Sequence, residues 1–324
     1  MKKVSMQDIA DKVGVSRCTV SLALSGKGRA KRVSEALCDK IMQAAKEMHY
    51  EPNELARSLR TGLTKTLGVV IADISNEFFG ELSYHIQKRA NSLGYNIIIT
   101  NSDEVPEKML ESIRLLINRR VDGIIMVPTN SSVSIANRIV SLGIPFVQVD
   151  RFIPGLNASY VILDNYKASE ALTEKFYAEG CRRIAMVKHK TSALNGRSEG
   201  YEKFMKDHDI YDKELVFNIR YSDEDEDLKV ALCRLLSSPK KVDAVIFQSH
   251  ELFLNGIRYI RDRREIKIAT FDKSAAYAIV DFPLTFVEQP IKEMAYSAVD
   301  LLVGHINGHK DVENKVFEAI IRES

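Results

Sequence analysis

Aspartates close two of the chain's short apolar runs, Asp150 after 145–149 and Asp272 after 266–270, and His250 follows a third run at 244–247. A carboxylate at a strand end can accept hydrogen bonds from a polar ligand, or simply cap the next helix. An imidazole there can donate, accept or change charge near neutral pH, or sit as a satisfied polar group. Arg17 stands directly behind Ser16 at the start of a helical pattern, where an arginine can reach base edges, most often those of guanine. None of this amounts to a catalytic signature. The chain has no Walker A loop and no Gly-x-Ser-x-Gly elbow, and scattered carboxylates do not define acid/base chemistry. Cys18, Cys38, Cys181 and Cys233 lie far apart without Cys-x-x-Cys or Cys/His pairing, and no His-Glu-x-x-His spacing occurs. Neither a disulfide framework, a metal site nor a cofactor is signalled, so the expectation is a binding protein and not an enzyme.

The elements that must position these residues divide near residue 60. Ser5 caps a helix to about Val13, Gly14 supplies a permissive turn, and Ser16 caps a second helix to about Leu24. Ala10, Gly14 and Val20 carry the spacing of a helix-turn-helix: a small residue for close crossing, glycine for the turn, and an apolar residue to fill the angle. A basic loop, Gly26-Lys27-Gly28-Arg29-Ala30-Lys31-Arg32, suits phosphates. It is no dinucleotide fingerprint, since no strand precedes it. Ser34 caps a third helix whose Leu37, Ile41, Ala45 and Met48 form one apolar stripe. Residues 1–60 hold 12 Lys/Arg against 7 acids, a net of +5, while the remainder carries 34 against 37, a net of −3. A basic head on a mildly acidic body points to a polyanion partner for the head alone.

Beyond Thr66, short apolar runs at 67–72, 96–100, 123–127, 145–149, 183–187, 244–247 and 266–270 alternate with amphipathic patterns. This order predicts parallel sheets covered on both faces. The body also repeats itself. Val121-Asp122-Gly123-Ile124-Ile125 echoes Val242-Asp243-Ala244-Val245-Ile246 at an offset of 121, and Gln148-Val149-Asp150-Arg151 echoes Thr270-Phe271-Asp272-Lys273 at 122. Two copies of one fold follow. Ligands of parallel sheets bind beyond the carboxyl ends of the strands, which Asp150 and Asp272 occupy. With 324 residues, two to three packed units are expected. No apolar run approaches the roughly 20 residues of a membrane span, and Asp8 and Asp11 interrupt any leader-like stretch. A cytoplasmic location is expected.

Val4-Ser5-Met6-Gln7-Asp8-Ile9-Ala10, Gly14-Val15-Ser16, Thr19-Val20-Ser21, Tyr50-Glu51-Pro52-Asn53 and Ala56-Arg57-Ser58-Leu59-Arg60-Thr61-Gly62 resemble the lactose-repressor (LacI/GalR) family of bacterial transcription regulators. The resemblance covers nearly the whole chain. It implies a helix-turn-helix head (1–52) and a hinge helix and linker (53–63) that form on DNA. The remainder (64–324) would be a periplasmic-binding-protein-like body of two Rossmann-like lobes, about 64–163 with 290–320, and about 164–289 with the C-terminal end. It implies that Arg17, Cys18 and Leu22 face base edges and that Ser16, Thr19 and Ser21 help hold phosphates. Asn53, Ala56 and Leu59 would belong to the operator-contacting hinge, with Leu59 as a minor-groove wedge. Hinge residues 53–60 would be marginal as an isolated helix.

In the body, Asp73-Ile74-Ser75-Asn76-Glu77-Phe78-Phe79 resembles the family's pocket loop, with Glu77 where proline is usual. The resemblance thus implies effector contacts by Asp73, Asn76, Phe78 and Phe79. Asn76 and Phe79 could equally be a loop cap and ordinary core. Asp164-Asn165, Arg197-x-x-Gly200-Tyr201 and Phe271-Asp272 match further pocket or lobe-crossing signatures. Arg197 is the foremost of these, because its guanidinium fork suits vicinal hydroxyls or a carboxylate. His250 stands where the family presents Asn or Asp, Leu22 where a polar or basic residue is frequent, and Lys167 where a small one is common. The end at 316–322 resembles a last core strand, with nothing after it for a tetramerising segment. The resulting expectation is a homodimeric repressor of palindromic double-stranded operator DNA, controlled by a sugar-like effector between the lobes and with no membrane partner. A transport-type sugar receptor would share the body but has no use for residues 1–60, and an enzyme with an appended head lacks a catalytic motif.

Overall fold

The computed structural model describes residues 4–25, 33–51, 58, 61–129, 132–190 and 195–324. Its contacts divide the chain into two compact units, Met1–Thr64 and Lys65–Ser324.

In the first unit, α1 (Met6–Val13), α2 (Arg17–Leu24) and α3 (Glu35–Glu47) each start behind a serine. Ser5 and Asp8 form a reciprocal capping box, which satisfies two backbone donors that a helix start otherwise leaves open. Gly14 ends α1 at φ 76° and donates to the Ala10 carbonyl at 2.9 Å, a left-handed turn that costs other residues strain. Ile9, Ala10, Val20, Ala23, Ile41, Ala44 and Ala45 close the core, with Leu37 and Met48 packed against it. Ala10 and Val20 therefore meet as the spacing requires. The loop at 26–32 lies outside the described residues.

The second unit contains two sheets of identical order, described here as two lobes. In the first lobe the order is β11 (Asn314–Phe317), β5 (Ser159–Leu163), β4 (Phe146–Val149), β3 (Gly123–Met126), β1 (Thr66–Ile71) and β2 (Asn96–Asn101). In the second it is β12 (Ile320–Glu323), β10 (Leu284–Glu288), β9 (Lys267–Phe271), β8 (Ala244–Phe247), β6 (Ile184–His189) and β7 (Val216–Ile219). All pairings are parallel except β10 with β12. The central strands β3, β4 and β8 are buried throughout, which is why they read as unbroken apolar runs. The flanking helices include α4 (Glu77–Ser92), α5 (Pro106–Asn118) and α6 (Val133–Ser141) in the first lobe. In the second they include α8 (Asn195–Asp207), α9 (Glu224–Ser237) and α10 (His250–Ile260).

Two helices cross between the lobes. α7 (Asn165–Ala178) leaves β5 of the first sheet, yet its Leu172 and Phe176 enter the core of the second with Tyr201 and Met186. Conversely α11 (Ile291–Ile306) leaves β10 of the second sheet and buries Met294, Val299 and Leu302 in the first lobe. The expected single terminal strand at 316–322 is corrected. It is two strands in different sheets, because the chain crosses at Glu318 and Ala319, after β11 pairs with β5 and before β12 pairs with β10. The aspartates of the first repeated segment share one duty. Asp122 Oδ2 accepts from Lys65 N–H at 2.8 Å, and Asp243 Oδ2 accepts from the Arg182 and Arg183 N–H groups at 2.8 Å each, so both clamp strand starts.

Candidate functional site

The N-terminal turn of α2 is the outward face of the head. Ser16, Arg17 and Cys18 are exposed, Thr19, Ser21 and Leu22 are half-buried, and Val20 and Ala23 turn inward. Ser16 Oγ accepts from Thr19 N–H at 3.1 Å and lies 2.9 Å from Thr19 Oγ1, which holds the turn rigid. No acid occupies this first turn, so the positive end of the helix dipole is unopposed and suits a phosphate. Asn53, Ala56 and Leu59 lie outside the described residues.

The polar site of the body forms where strands of the two lobes end. Asp150 and Asp272 follow β4 and β9 at φ 69° and 70°. Each donates its backbone N–H at 3.0 Å to the next strand, to Val161 O and to Val287 O. The left-handed backbone turns each side chain out of the pleat, and aspartate tolerates it better than most residues. Arg197, on the first turn of α8, is 1% exposed. Its Nε donates to Asn165 Oδ1 at 2.7 Å, its Nη1 to the Gln248 carbonyl at 2.6 Å, and Nη1 stands 3.7 Å from Asp272 Oδ2. The guanidinium also lies 4.2 Å from the centre of the Phe271 ring. α7 and α8 can approach this closely because residue 200 is glycine: a Cβ there would stand 2.2 Å from the Tyr166 carbonyl oxygen. Tyr201, beside it, donates its hydroxyl to Ile184 O at 2.7 Å.

His250 opens α10, is 3% exposed, and places Nδ1 3.7 Å from Asp272 Oδ2. Gln289 Nε2 donates to Asp272 Oδ1. Burial opposes ionisation of Asp272, but Arg197, His250 and Gln289 together hold its pKa below the usual value. Asp150 goes the other way. Burial pushes it up, and Asp272 and Glu104 add to that against Arg151 and Arg197. Burial likewise pulls Arg197 down against the attraction of Asp272 and Asp150. His250 is raised, the neighbouring Asp272 carboxylate outweighing burial. Two carboxylates from different lobes thus share one guanidinium, and the nearer holds its charge more firmly.

Asp73 and Asn76 sit at the first lobe's rim. Asp73 Oδ1 accepts from Ser75 N–H at 2.8 Å and Ser75 Oγ at 2.7 Å, while Asn76 caps α4 through Phe78 N–H at 2.9 Å. Phe78 and Phe79 pack edge to face at 5.0 Å within the first lobe's core. The structure therefore brings Arg197, His250 and Asp272 together, with Asp73 and Asn76 at the edge and both phenylalanines behind it. Sequence reasoning did not single out Arg151, Gln248, Glu251 or Gln289. Arg151 Nη1 meets Glu104 Oε1 at 2.6 Å, and its Nε lies 3.2 Å from Asp150 Oδ2. Asp150 had a signal, its repeat partner Asp272, whereas Gln289 had none.

Residues 5–53 match the model of bacterial regulatory proteins of the lacI family, and residues 64–316 match that of periplasmic binding proteins and the sugar-binding domain of the LacI family. The chain belongs to the LacI family. The transcriptional regulator RegA of Clostridium saccharobutylicum is 32% identical over 99% of this chain and 98% of its own length. The sucrose operon repressor of Pediococcus pentosaceus is 29% identical over 94% and 93%. Among solved structures, the Lac repressor dimer bound to operator and the anti-inducer ONPF superposes with a TM-score of 0.87 at 20% identity, covering 99% of this chain and 98% of that one. The complex of the transcriptional regulator CelR with cellobiose gives 0.71 at 23%, with the same coverage.

This LacI-family protein is accordingly a DNA-binding transcriptional regulator whose head carries the family's helix-turn-helix and whose body has the sugar-binding fold. One chain joins a helix-turn-helix unit to a body in which polar groups converge from two lobes. No helix among the described residues is long and apolar enough to cross a membrane.

Proposed function

We propose that this LacI-family regulator is a cytoplasmic homodimeric repressor. It binds a palindromic operator through Ser16, Arg17, Cys18, Thr19, Ser21 and Leu22, with Asn53, Ala56 and the wedge Leu59 in the hinge. Residues 1–52 are the head, 53–63 the hinge, and 64–324 the effector-binding and dimerising body. One recognition helix reads a half-site, and a two-fold dimer pairs two of them. Exposed apolar side chains of the body, Tyr84 and Ile279 among them, are surface that a second copy would cover. The protein performs no catalysis. The effector is a small polyhydroxylated molecule held by Arg197, Asp272 and His250 from one lobe and by Asp73, Asn76 and Asp150 from the other.

The observation that carries this reading is the buried Asp150, Arg197, Asp272 and His250 cluster, drawn from both lobes at facing strand ends. An effector that binds one lobe arrangement better than another must alter operator affinity, and operator must alter effector affinity by the same factor. The sucrose and ribose operon repressors among the relatives support a sugar-class effector. A transport receptor would leave the matched head without a role. Gel-shift titration on a palindromic operator selected from random duplexes, with sedimentation of the complex, tests the reading. Two protomers per duplex are expected, with affinity falling at a log-log salt slope of about −0.9 per phosphate neutralised. A monomer bound equally to any sequence would refute it.

A further inference from the structure

The charges that line the cleft are out of balance. From the first lobe come Asp73, Glu77, Glu104 and Asp150, and from the second Glu251 and Asp272, against the two guanidinium groups of Arg151 and Arg197 and the imidazole of His250, whose pKa Asp272, Glu251 and Glu77 raise against burial. Where the lobes meet, Glu77 and Glu251 also take neutral donors. Glu77 Oε1 accepts from Ala275 N–H at 3.1 Å across the cleft, and Asn76 reaches the Glu251 carboxylate. Lys273, next to Asp272, is turned to Glu288 at 3.3 Å.

One further group points to a ligand that donates. Gln289 is 7% exposed, and because a carboxylate only accepts, its Nε2 must face Asp272, leaving Oε1 buried with no donor. His250, its pKa raised by the same carboxylate 3.7 Å from Nδ1, is a donor already directed at Asp272 and asks for none. Among the described residues no three His, Cys, Asp or Glu side chains converge as a metal site does. The acids are spread to suit a polyatomic cation.

We propose that the effector is a polyol bearing an ammonium group, of the amino-sugar class, whose cation is held between Asp272, Asp150 and Gln289 Oε1 and draws the acidic rims of both lobes together. The proposal rests on the effector reading given above. An ammonium offers three donors where a hydroxyl offers one, and it neutralises charge that closure concentrates. A sugar acid or sugar phosphate would add an anion to an acidic cleft. Burial pushes Glu251 up, with Glu224 and Asp73 adding to it against His250, which accords with a surplus of negative charge.

The test is titration calorimetry of the full-length protein with gluco-, galacto- and manno-configured hexoses. Each is supplied as the amine, the N-acetylated amine, the parent sugar and the uronate. At least one amine should bind about tenfold more tightly than its three counterparts, since misplaced like charge is costly. Glu251→Gln should narrow that gap and raise the Tm of the unliganded chain. Tighter binding of an acetylated, parent or uronate member overturns the proposal. If Arg197→Met abolishes that binding, the effector reading survives. Should no sugar bind, thermal stability decides: an unchanged or lower Tm in both Glu251→Gln and Glu77→Gln shows that the carboxylates are not in surplus and overturns the proposal. A rise in either supports it.

Discussion

Replacing Arg197 with Met removes the guanidinium fork, which lies over the Phe271 ring, while keeping an unbranched side chain in the buried position. The arginine is 1% exposed, donates at 2.7 Å to Asn165 Oδ1 and 2.6 Å to Gln248 O, and neutralises Asp272 at 3.7 Å. The variant therefore leaves a buried carboxylate without its guanidinium counter-charge and two acceptors without their donor. Breaking a buried ion pair from one side costs about 3–5 kcal/mol. The lost hydrogen bonds belong to the same network, so they fall within that figure instead of adding to it. At roughly 2–4 °C per kcal/mol for domains of 150–250 residues, Tm should fall by roughly 6–20 °C in scanning calorimetry. Because the loss comes from a stranded charge, adding Asp272→Asn should recover much of it. His250 provides a second check. Its pKa is raised by Asp272 against burial, with Glu251 and Glu77 also facing it. The stability it contributes is thus full below its unfolded pKa of about 6.5 and fades as pH rises through the folded value. The variant should be less impaired at pH 6 than at pH 8. A Tm within about 2 °C of wild type, or no recovery in the double variant, would refute the assignment of Arg197 as the cation that balances Asp272.

Gly200→Ala places a Cβ 2.2 Å from the Tyr166 carbonyl oxygen, so α7 and α8 must separate, at about 1–3 kcal/mol or more. Effector affinity should fall with it, because Asn165 holds Arg197, and an unchanged urea midpoint would contradict the close approach. Ser16→Ala should cost about 1 kcal/mol through loss of the cap. Ser16→Asp should keep that stability yet weaken operator binding by setting an anion against phosphate, so parallel changes in unfolding and gel-shift assays would argue against a phosphate-facing turn. Asp150→Asn should stabilise the protein at pH 7. Burial raises the folded pKa of Asp150, so the cost of ionising it is absent below about 3.8 and sets in as pH climbs towards the folded value. Asparagine accepts φ near 69°, and Arg151 keeps Glu104 at 2.6 Å. Tm curves that fail to converge as pH falls towards 4 would count against this.

The helices of the head are legible in the chain itself. Ser5, Ser16 and Ser34 cap within three residues of themselves, and Gly14 turns the chain locally, so the interactions that define the unit are between near neighbours. The two-lobed body is legible for a related reason, since runs buried on both faces must be apolar and a repeat copies its pattern. The half-buried strand β5, with alternating burial, and the edge strand β7 leave weaker traces. Asp150 and Asp272 can be paired from the repeat alone, but their opposite pKa directions cannot, because burial raises both and only Asp272 has His250 and Gln289 beside Arg197 to outweigh it. No local pattern within α7, α11 or the final segment says that each helix packs on the lobe opposite its preceding strand or that the segment divides between β11 and β12; the lobe bounds that place them so come only from the family resemblance. The packing of α7 on α8 brings Asn165 to Arg197, and the parallel pairing of β9 with β10 sets Gln289 beside Asp272. They are decided by contacts between residues tens to more than a hundred positions apart, whose free energy exists only once both partners are in place and so leaves no local pattern to read.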